Sequence, residues 1–233
     1  MRIKTIMCSS DHDFYLLHSK RCEALSTDEV QIKVVYLPHG PVSMESAYDE
    51  ARAAPYILEH VASAKEEGFD AVVVDCAADP AARASKEIGD LPVISAGEAG
   101  FYTAMLLASK FSIVTILQST VHEIEDRIAV YGIKSRVASV LSADVPVLSL
   151  DDTAYAEEKI YAAAKKAIDE HGAQAIVLGC TGMMEMCESL EKRLGVPVIE
   201  PYSAAIQQAA SLVRLGKMQS RKSYIKAGHK KCN

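Results

Sequence analysis

The chain of 233 residues has no tryptophan and only 6% aromatic residues, so its core must be built from aliphatic side chains. No apolar run approaches the roughly 20 residues of a membrane span. No basic segment followed by an apolar stretch opens the sequence, so the expected location is cytoplasmic. There is no surplus of positive charge either: Lys and Arg number 25 against 31 Asp and Glu, a net charge of −6, which leaves no basic field for nucleic acid. Only the last dozen residues are locally basic, through Arg221, Lys222, Lys226, Lys230 and Lys231, and they read as a solvated end. The six cysteines form no CxxC pair and have no regular histidine partners, which argues against a zinc site. A glycine-rich dinucleotide turn is also missing. The expected ligand is a small molecule, with no metal, no cofactor, no nucleic acid and no membrane involved.

What the chain does contain is a repetition. GFDAVVVDC at 68–76 is written again as GAQAIVLGC at 172–180, which places the cysteines 104 positions apart, at 76 and 180. The apolar runs 71–74 and 175–178 are too short and too β-branched for helices and read as buried parallel strands. PVI at 92–94 recurs at 197–199 with one residue inserted, and KTIMCSS at 4–10 is echoed by IVTILQST at 113–120. This is an internal duplication of a β/α half. It predicts an α/β fold of two pseudo-symmetric lobes, each a doubly wound parallel sheet flanked by helices. The first lobe would hold 1–96 and 206–233 and the second 97–205. Ligands of such sheets sit beyond the carboxyl ends of the strands, so the site belongs in the cleft between the lobes.

Local signals fill in this frame. Asp11 caps a helix running through Leu16, Leu17 and Leu25. The loop PHGP at 38–41 delivers Ser43 and Ser46 to the start of the next helix, which Pro55 would break or restart. After Cys76, Asp79 is placed as an N-cap with Pro80 as the first helical residue, so that the cysteine faces a helix N-terminus. Thr120 and Glu123 form a capping-box pattern. Residues 137–150 hold one or two strands interrupted by Pro146, and a last helix over 204–215 returns to the first lobe.

A free thiol has a pKa of about 8.5, and a helix N-terminus lowers it, so Cys76 or Cys180 can serve as a base near neutral pH. A cysteine ending a core strand is more often inert packing. Matched cysteines in both copies of a duplication, each before a helix start, reverse that reading. One thiolate would remove a proton next to a carbonyl, and backbone N–H groups of Ala77, Ala78, Thr181 and Gly182 would hold the enolate. The other thiol would return a proton from behind, giving a cofactor-independent racemisation or epimerisation.

The segments DCAADP, GCTGM and GPVSMESAYDEA resemble the aspartate/glutamate/hydantoin racemase superfamily, most closely its hydantoin and allantoin racemase branch, over nearly the whole chain. The resemblance implies catalytic thiols at Cys76 and Cys180, no cofactor and a homo-oligomer. It places substrate-binding positions near Ser9, Ser10, Ser43 and Thr115, and just after each cysteine. The chain departs from the branch at Cys8-Ser9-Ser10, where an Asn-Pro-Asn type turn is usual. It departs again at Ala77-Ala78, where a bulky residue and glycine are usual, so the expected substrate is hydantoin-type or amino-acid-derived and differs from hydantoin or allantoin, with the smaller alanines pointing to a hydantoin with a larger 5-substituent. Two other readings stay open: an isomerase or decarboxylase resembling maleate isomerase or arylmalonate decarboxylase, with one cysteine protonating an enolate, and a non-catalytic small-molecule binding protein.

The remaining candidates take blander roles. Cys8 could line the pocket but, with Gln118 as its repeat partner, reads as structural. Cys22, Cys187 and Cys232 lie in no motif. His12 and His39 follow strand ends and read as solvated or capping, Glu98 as a helix-start carboxylate, and Met183, Met184 and Met186 as core. Strand alternation points Asp75 away from Cys76.

Overall fold

A computed structural model describes residues 1–226; Lys230, Lys231 and Cys232 lie outside the described residues. The first half runs β1 (Arg2–Met7), α1 (His12–Glu23), β2 (Gln31–Tyr36), α2 (Ala47–Ser63), β3 (Ala71–Asp75), α3 (Ala82–Ile88) and β4 (Val93–Ser95). After α4 (Ala96–Leu107) come β5 (Phe111–Thr115), α5 (Gln118–Val130), β6 (Val137–Ser142), α6 (Thr153–His171), β7 (Ile176–Leu178), α7 (Cys187–Leu194) and β8 (Val198–Ile199), and α8 (Pro201–Arg214) follows. The strands form two parallel four-stranded sheets of the same order, β2-β1-β3-β4 and β6-β5-β7-β8. The repeat extends to register: Val72 lies opposite Val93 in the first sheet, and Ile176 opposite Val198 in the second. Every residue of β3 and β7 is buried, because helices cover both faces of each sheet.

Helices α4 and α8 join the halves. Ala96 and Ala99 of α4 pack with Ala71 and Val73 of β3 and with Tyr202, Ala205 and Ala209 of α8. One turn further on, Phe101 and Ala104 enter the core of β5 and α5. Helix α8 thus lies on the first sheet although it follows the second in sequence.

Several local expectations change. Pro55 sits inside an unbroken α2, whose residues Ala53, Ile57 and Val61 are buried against the first sheet. Because Pro55 is exposed, water can take up the carbonyl it leaves free. The buried stripe of α1 is not leucine: Leu16 and Leu17 are exposed, while His18 and Cys22 are buried, with Phe14 one turn before His18 packing against both cores. Thr120 falls within the first turn of α5 rather than at its cap; its hydroxyl donates to the Leu117 carbonyl and meets the Thr115 hydroxyl at 2.8 Å. Residues 137–150 hold one strand, β6, and at Pro146 the chain turns into a short 3-10 segment, Val147–Ser149. The basic end is not free in solvent over its described part. Gln219 accepts from Val93 N and donates to the Leu91 carbonyl, Arg221 donates to the Lys86 and Glu87 carbonyls, and Lys226 pairs with Asp90 at 2.6 Å.

Asp79 caps a helix, but not the one that follows it. It adopts φ 54, and α3 begins after Ala81 without a side-chain cap. The Asp79 carboxylate instead accepts from Gly97 N and Glu98 N in the first turn of α4, both at 2.7 Å, and from the Tyr131 hydroxyl just beyond α5 at 2.7 Å. Burial outweighs these bonds and pushes the carboxyl up to about 7 from its ordinary 3.8. The native state therefore holds the extra proton between those values, and this group's stabilisation falls as pH rises from 4 to 7, then levels off. Asp79→Asn turns an amide NH2 onto a backbone donor and should cost about 1–3 kcal/mol. Thermal unfolding of both proteins should show the wild-type advantage shrinking across pH 4–7; an advantage that grows over that window contradicts the raised carboxyl.

Candidate active site

Strands β1, β3, β5 and β7 end on one side, and the residues just past them enclose a narrow cavity of about 50 Å³ between the sheets. Cys76 enters from the end of β3 and Cys180 from the end of β7. Ser9, Ser43, Ala77, Ala78, Thr115, Thr181 and Gly182 line the same space, as does Cys8. Ser10 does not: its hydroxyl donates to the Gly40 and Pro41 carbonyls at 3.1 Å and braces the loop before Ser43.

Close backbone packing sets where the cysteines stand. A Cβ at Gly179 would lie 2.8 Å from Thr115 Cα, so only glycine lets the end of β7 run against β5 and turn Cys180 inward. A Cβ at Gly97 would lie 2.2 Å from the Ala77 carbonyl, so the start of α4 rests directly on the loop after Cys76. That loop is held from the second half as well, since Arg127 Nε donates to the Ala78 carbonyl at 2.9 Å and pairs with Glu50. The last four residues of GPVSMES each have a place: Ser43 and Met44 face the cavity, the Glu45 carboxylate accepts from Val147 N across the cleft, and Ser46 caps α2.

The thiols do not sit as the sequence suggests. Burial pushes Cys180 up to about 12, and the N–H of Gly182 that bonds its sulfur offsets only part of this. A 3-10 turn, Thr181–Met186, follows Cys180 directly, but α3 starts only at Ala82, so Cys76 does not abut a helix N-terminus. Cys8 is buried beside Cys76, and burial followed by that neighbouring thiol drives it well above the ordinary thiol range. The N–H groups of Ala77 and Ala78 find no acceptor among the described residues. Nor do the hydroxyls of Ser43 and Thr181 find partners there. Among the described residues no lysine or arginine lines the cavity, and much of its wall is apolar, from Phe14, Met44, Ile116, Ile124 and Val147.

Sequence reasoning passed over Phe14, His18 and the inward reach of Asp75, all of which line the cavity. Their only signal is the spacing of Phe14, His18 and Cys22 on one face of α1, which a preference for leucine stripes hides. His18 Nε2 bonds Asp75 Oδ2 at 2.8 Å, and Cys22 Sγ lies 3.8 Å from the same oxygen. His18 and Cys22 lie one turn apart on α1, but Asp75 comes from the end of β3, so no motif foreshadows the cluster. His12 and His39 stay outside the cavity, His12 tilted against Tyr36 and His39 edge-on to Tyr56. Glu98 pairs with Lys86, Met183 and Met186 are core, and Cys187 donates to the Val198 carbonyl.

The fold and its cleft are those of a racemase superfamily. The family model for Asp/Glu/Hydantoin racemase matches residues 5–209. The chain is 38% identical over 215 residues to the hydantoin racemase of Pseudomonas sp. (strain NS671), covering 92% of this chain and 86% of that one. Among solved structures, the allantoin racemase of Pseudomonas fluorescens superposes with a TM-score of 0.94 at 33% identity, over 100% of both chains. That of Klebsiella pneumoniae does so at 0.94 and 32%, over 100% of this chain and 96% of the other. The chain belongs to the Asp/Glu/Hydantoin racemase family and is an isomerase.

The raised thiol carries a test of its own. The thiolate is the form that alkylates, so modification of Cys180 by iodoacetamide, followed by peptide mass spectrometry, should be slow at pH 7–8. It should then rise about tenfold per pH unit up to pH 10. A rate that levels off below pH 9 contradicts the burial effect.

Proposed function

We propose that this protein racemises, without a cofactor, the carbon next to a carbonyl in an uncharged ring of the hydantoin type, with Cys76 and Cys180 exchanging protons on its opposite faces. The observation that carries this reading is that both cysteines, from separate halves of the duplication, reach one cavity with no lysine or arginine among its described lining residues. A free amino acid brings a carboxylate, and a carboxylate taken out of water needs a charged partner or dense hydrogen bonding. The same lack disfavours the maleate- and malonate-type readings. The hydantoin and allantoin racemases it resembles support a substrate of this class, and the apolar wall favours an apolar 5-substituent over a polar one.

The chemistry follows from the environment of each thiol. Cys180 is held protonated and serves as the acid in the direction that begins with Cys76 as base. As the ring proton moves to Cys76, charge develops on the neighbouring carbonyl oxygen, where unpaired N–H groups can receive it. Cys180 then protonates the opposite face, and its new thiolate accepts from Gly182 N–H. The two thiols have now exchanged roles, which is the starting state for the reverse reaction.

Proton NMR of each pure enantiomer of 5-isopropylhydantoin in deuterium oxide, with protein dialysed against a chelator, tests this reading. The wild type should exchange and racemise both enantiomers. Cys76→Ser and Cys180→Ser should each lose racemisation by at least about a thousandfold, because a serine hydroxyl is too weak an acid to supply the base. Each variant should still exchange one enantiomer, a different one in each case, with retention. The two-thiol assignment fails if both variants exchange the same enantiomer, or if either racemises near the wild-type rate.

A further inference from the structure

We infer that Cys8 and Cys76 form an oxidation site for hydrogen peroxide, which converts the two thiols into a disulfide and so withdraws Cys76 from the reaction. The pairing stands on the geometry of the first sheet, and only its consequence for turnover rests on the racemase reading above. Strand β1 lies beside β3 in parallel, with Ile6 opposite Val74 and Met7 opposite Asp75. Side chains alternate along a strand. Ile6 and Val74 therefore point to one face, and Cys8 and Cys76, two residues further on, return to it: all four side chains lie in or against the same apolar cluster. Neighbouring strands stand about 4.8 Å apart, and a disulfide spans Cα separations of about 4.4–6.8 Å. The two cysteines thus follow a pair of strand ends whose spacing a disulfide can bridge.

Both thiols line the cavity, but they are not equally open to it. Cys76 is half-buried, whereas Cys8 is 3% exposed. Burial, and after it a hydrogen bond between the two thiols, drive Cys8 well above the ordinary thiol range, so Cys8 keeps its proton while Cys76 meets the oxidant. Hydrogen peroxide is small and uncharged, and it enters the apolar cavity at less desolvation cost than a charged oxidant. The Cys76 thiolate attacks one peroxide oxygen. An S–O bond forms as the O–O bond breaks, the sulfur gives up two electrons, and the hydroxide that leaves is protonated to water. The Cys8 sulfur then attacks the sulfenic sulfur. An S–S bond forms as the S–O bond breaks, and the departing hydroxide takes the Cys8 proton to give a second water. Held in this form, Cys76 is shielded from further oxidation to the sulfinic acid, and a small thiol restores both cysteines by exchange. The second half has no such pair. Val114 lies opposite Leu178, so the same two-residue step brings Ile116 beside Cys180, an aliphatic neighbour where Cys76 has a thiol.

Peptide mapping of the full-length protein after brief exposure to hydrogen peroxide tests this, with remaining thiols blocked by iodoacetamide in denaturant before digestion. The Cys8 and Cys76 peptides should appear as one linked species, two hydrogens lighter than their sum, while the Cys180 peptide is recovered alkylated. Racemisation of 5-isopropylhydantoin should fall in proportion to the linked fraction and return in full with dithiothreitol. In Cys8→Ser no linked species should form and Cys76 should advance to the sulfinic acid, so that the loss, measured against that variant's own starting rate, resists dithiothreitol. If Cys8→Ser does not fold, the wild-type map decides alone. Cys76 recovered from the wild type as the sulfinic acid, as an untouched thiol or linked to Cys180 overturns the inference. A fully linked protein that keeps its rate overturns the effect on turnover, and with it Cys76 as the base. A wild type inert toward every hydantoin removes the racemase reading, while the peptide map still decides the bond.

Discussion

The arrangement of the site depends on one buried carboxylate. Asp79 lies three residues past Cys76, and its oxygens tie that loop to the first turn of α4 and to Tyr131 at the end of α5. Helix α4 contributes to both cores, so the bond sets the position of Cys76 relative to the half that carries Cys180. The cost is visible in the carboxyl itself, which burial raises to about 7 in spite of three donors. Gly97 belongs to the same constraint, because any side chain there would collide with the Ala77 carbonyl.

A second constraint is that no lysine or arginine among the described residues stands where the chemistry is proposed, and that the Asp75 carboxylate in the wall is bonded to His18. Burial holds Cys180 as a thiol and makes each properly aimed N–H group more effective than it would be in water. A neutral ring enters such a space at little desolvation cost. In the proposed reaction its enolate is a new negative charge, and that charge appears only near the transition state. In the proposed reaction, a wall without lysine or arginine among the described residues disfavours carboxylate substrates and concentrates its stabilisation on the reaction itself.

The duplication made the fold legible in the sequence. Two copies of an apolar run ending in cysteine, at a constant offset, specify two sheets of the same order, and the matched registers of β3 with β4 and β7 with β8 follow from it. The cavity-facing side chains next to each cysteine were legible for the same reason, since strand ends converge in parallel sheets. What stayed hidden depends on tertiary partners. Asp79 and Pro80 form a good helix-start signal, yet the carboxylate reaches a helix 17 residues further on, because the left-handed turn at 79–81 points it there. The buried face of α1 carries histidine and cysteine while its leucines face out, so a hydrophobicity pattern selects the wrong side. Arg221 looks like one of several tail cations, and only the fold shows the carbonyls of α3 within its reach.

The central claim is that two thiols act from opposite faces, and an isotope effect on optical activity addresses it without mutation. A pure protonated enantiomer of 5-isopropylhydantoin, placed with the wild-type protein in deuterium oxide, should be converted to its deuterated mirror image. That product returns more slowly, because its carbon–deuterium bond is harder to break. The circular dichroism signal should therefore pass through zero, reach the opposite sign and then decay back to zero, from either enantiomer. A signal that falls to zero without crossing it, with deuterium entering the recovered starting enantiomer as fast as the product, would mean that one group serves both faces and would contradict the account.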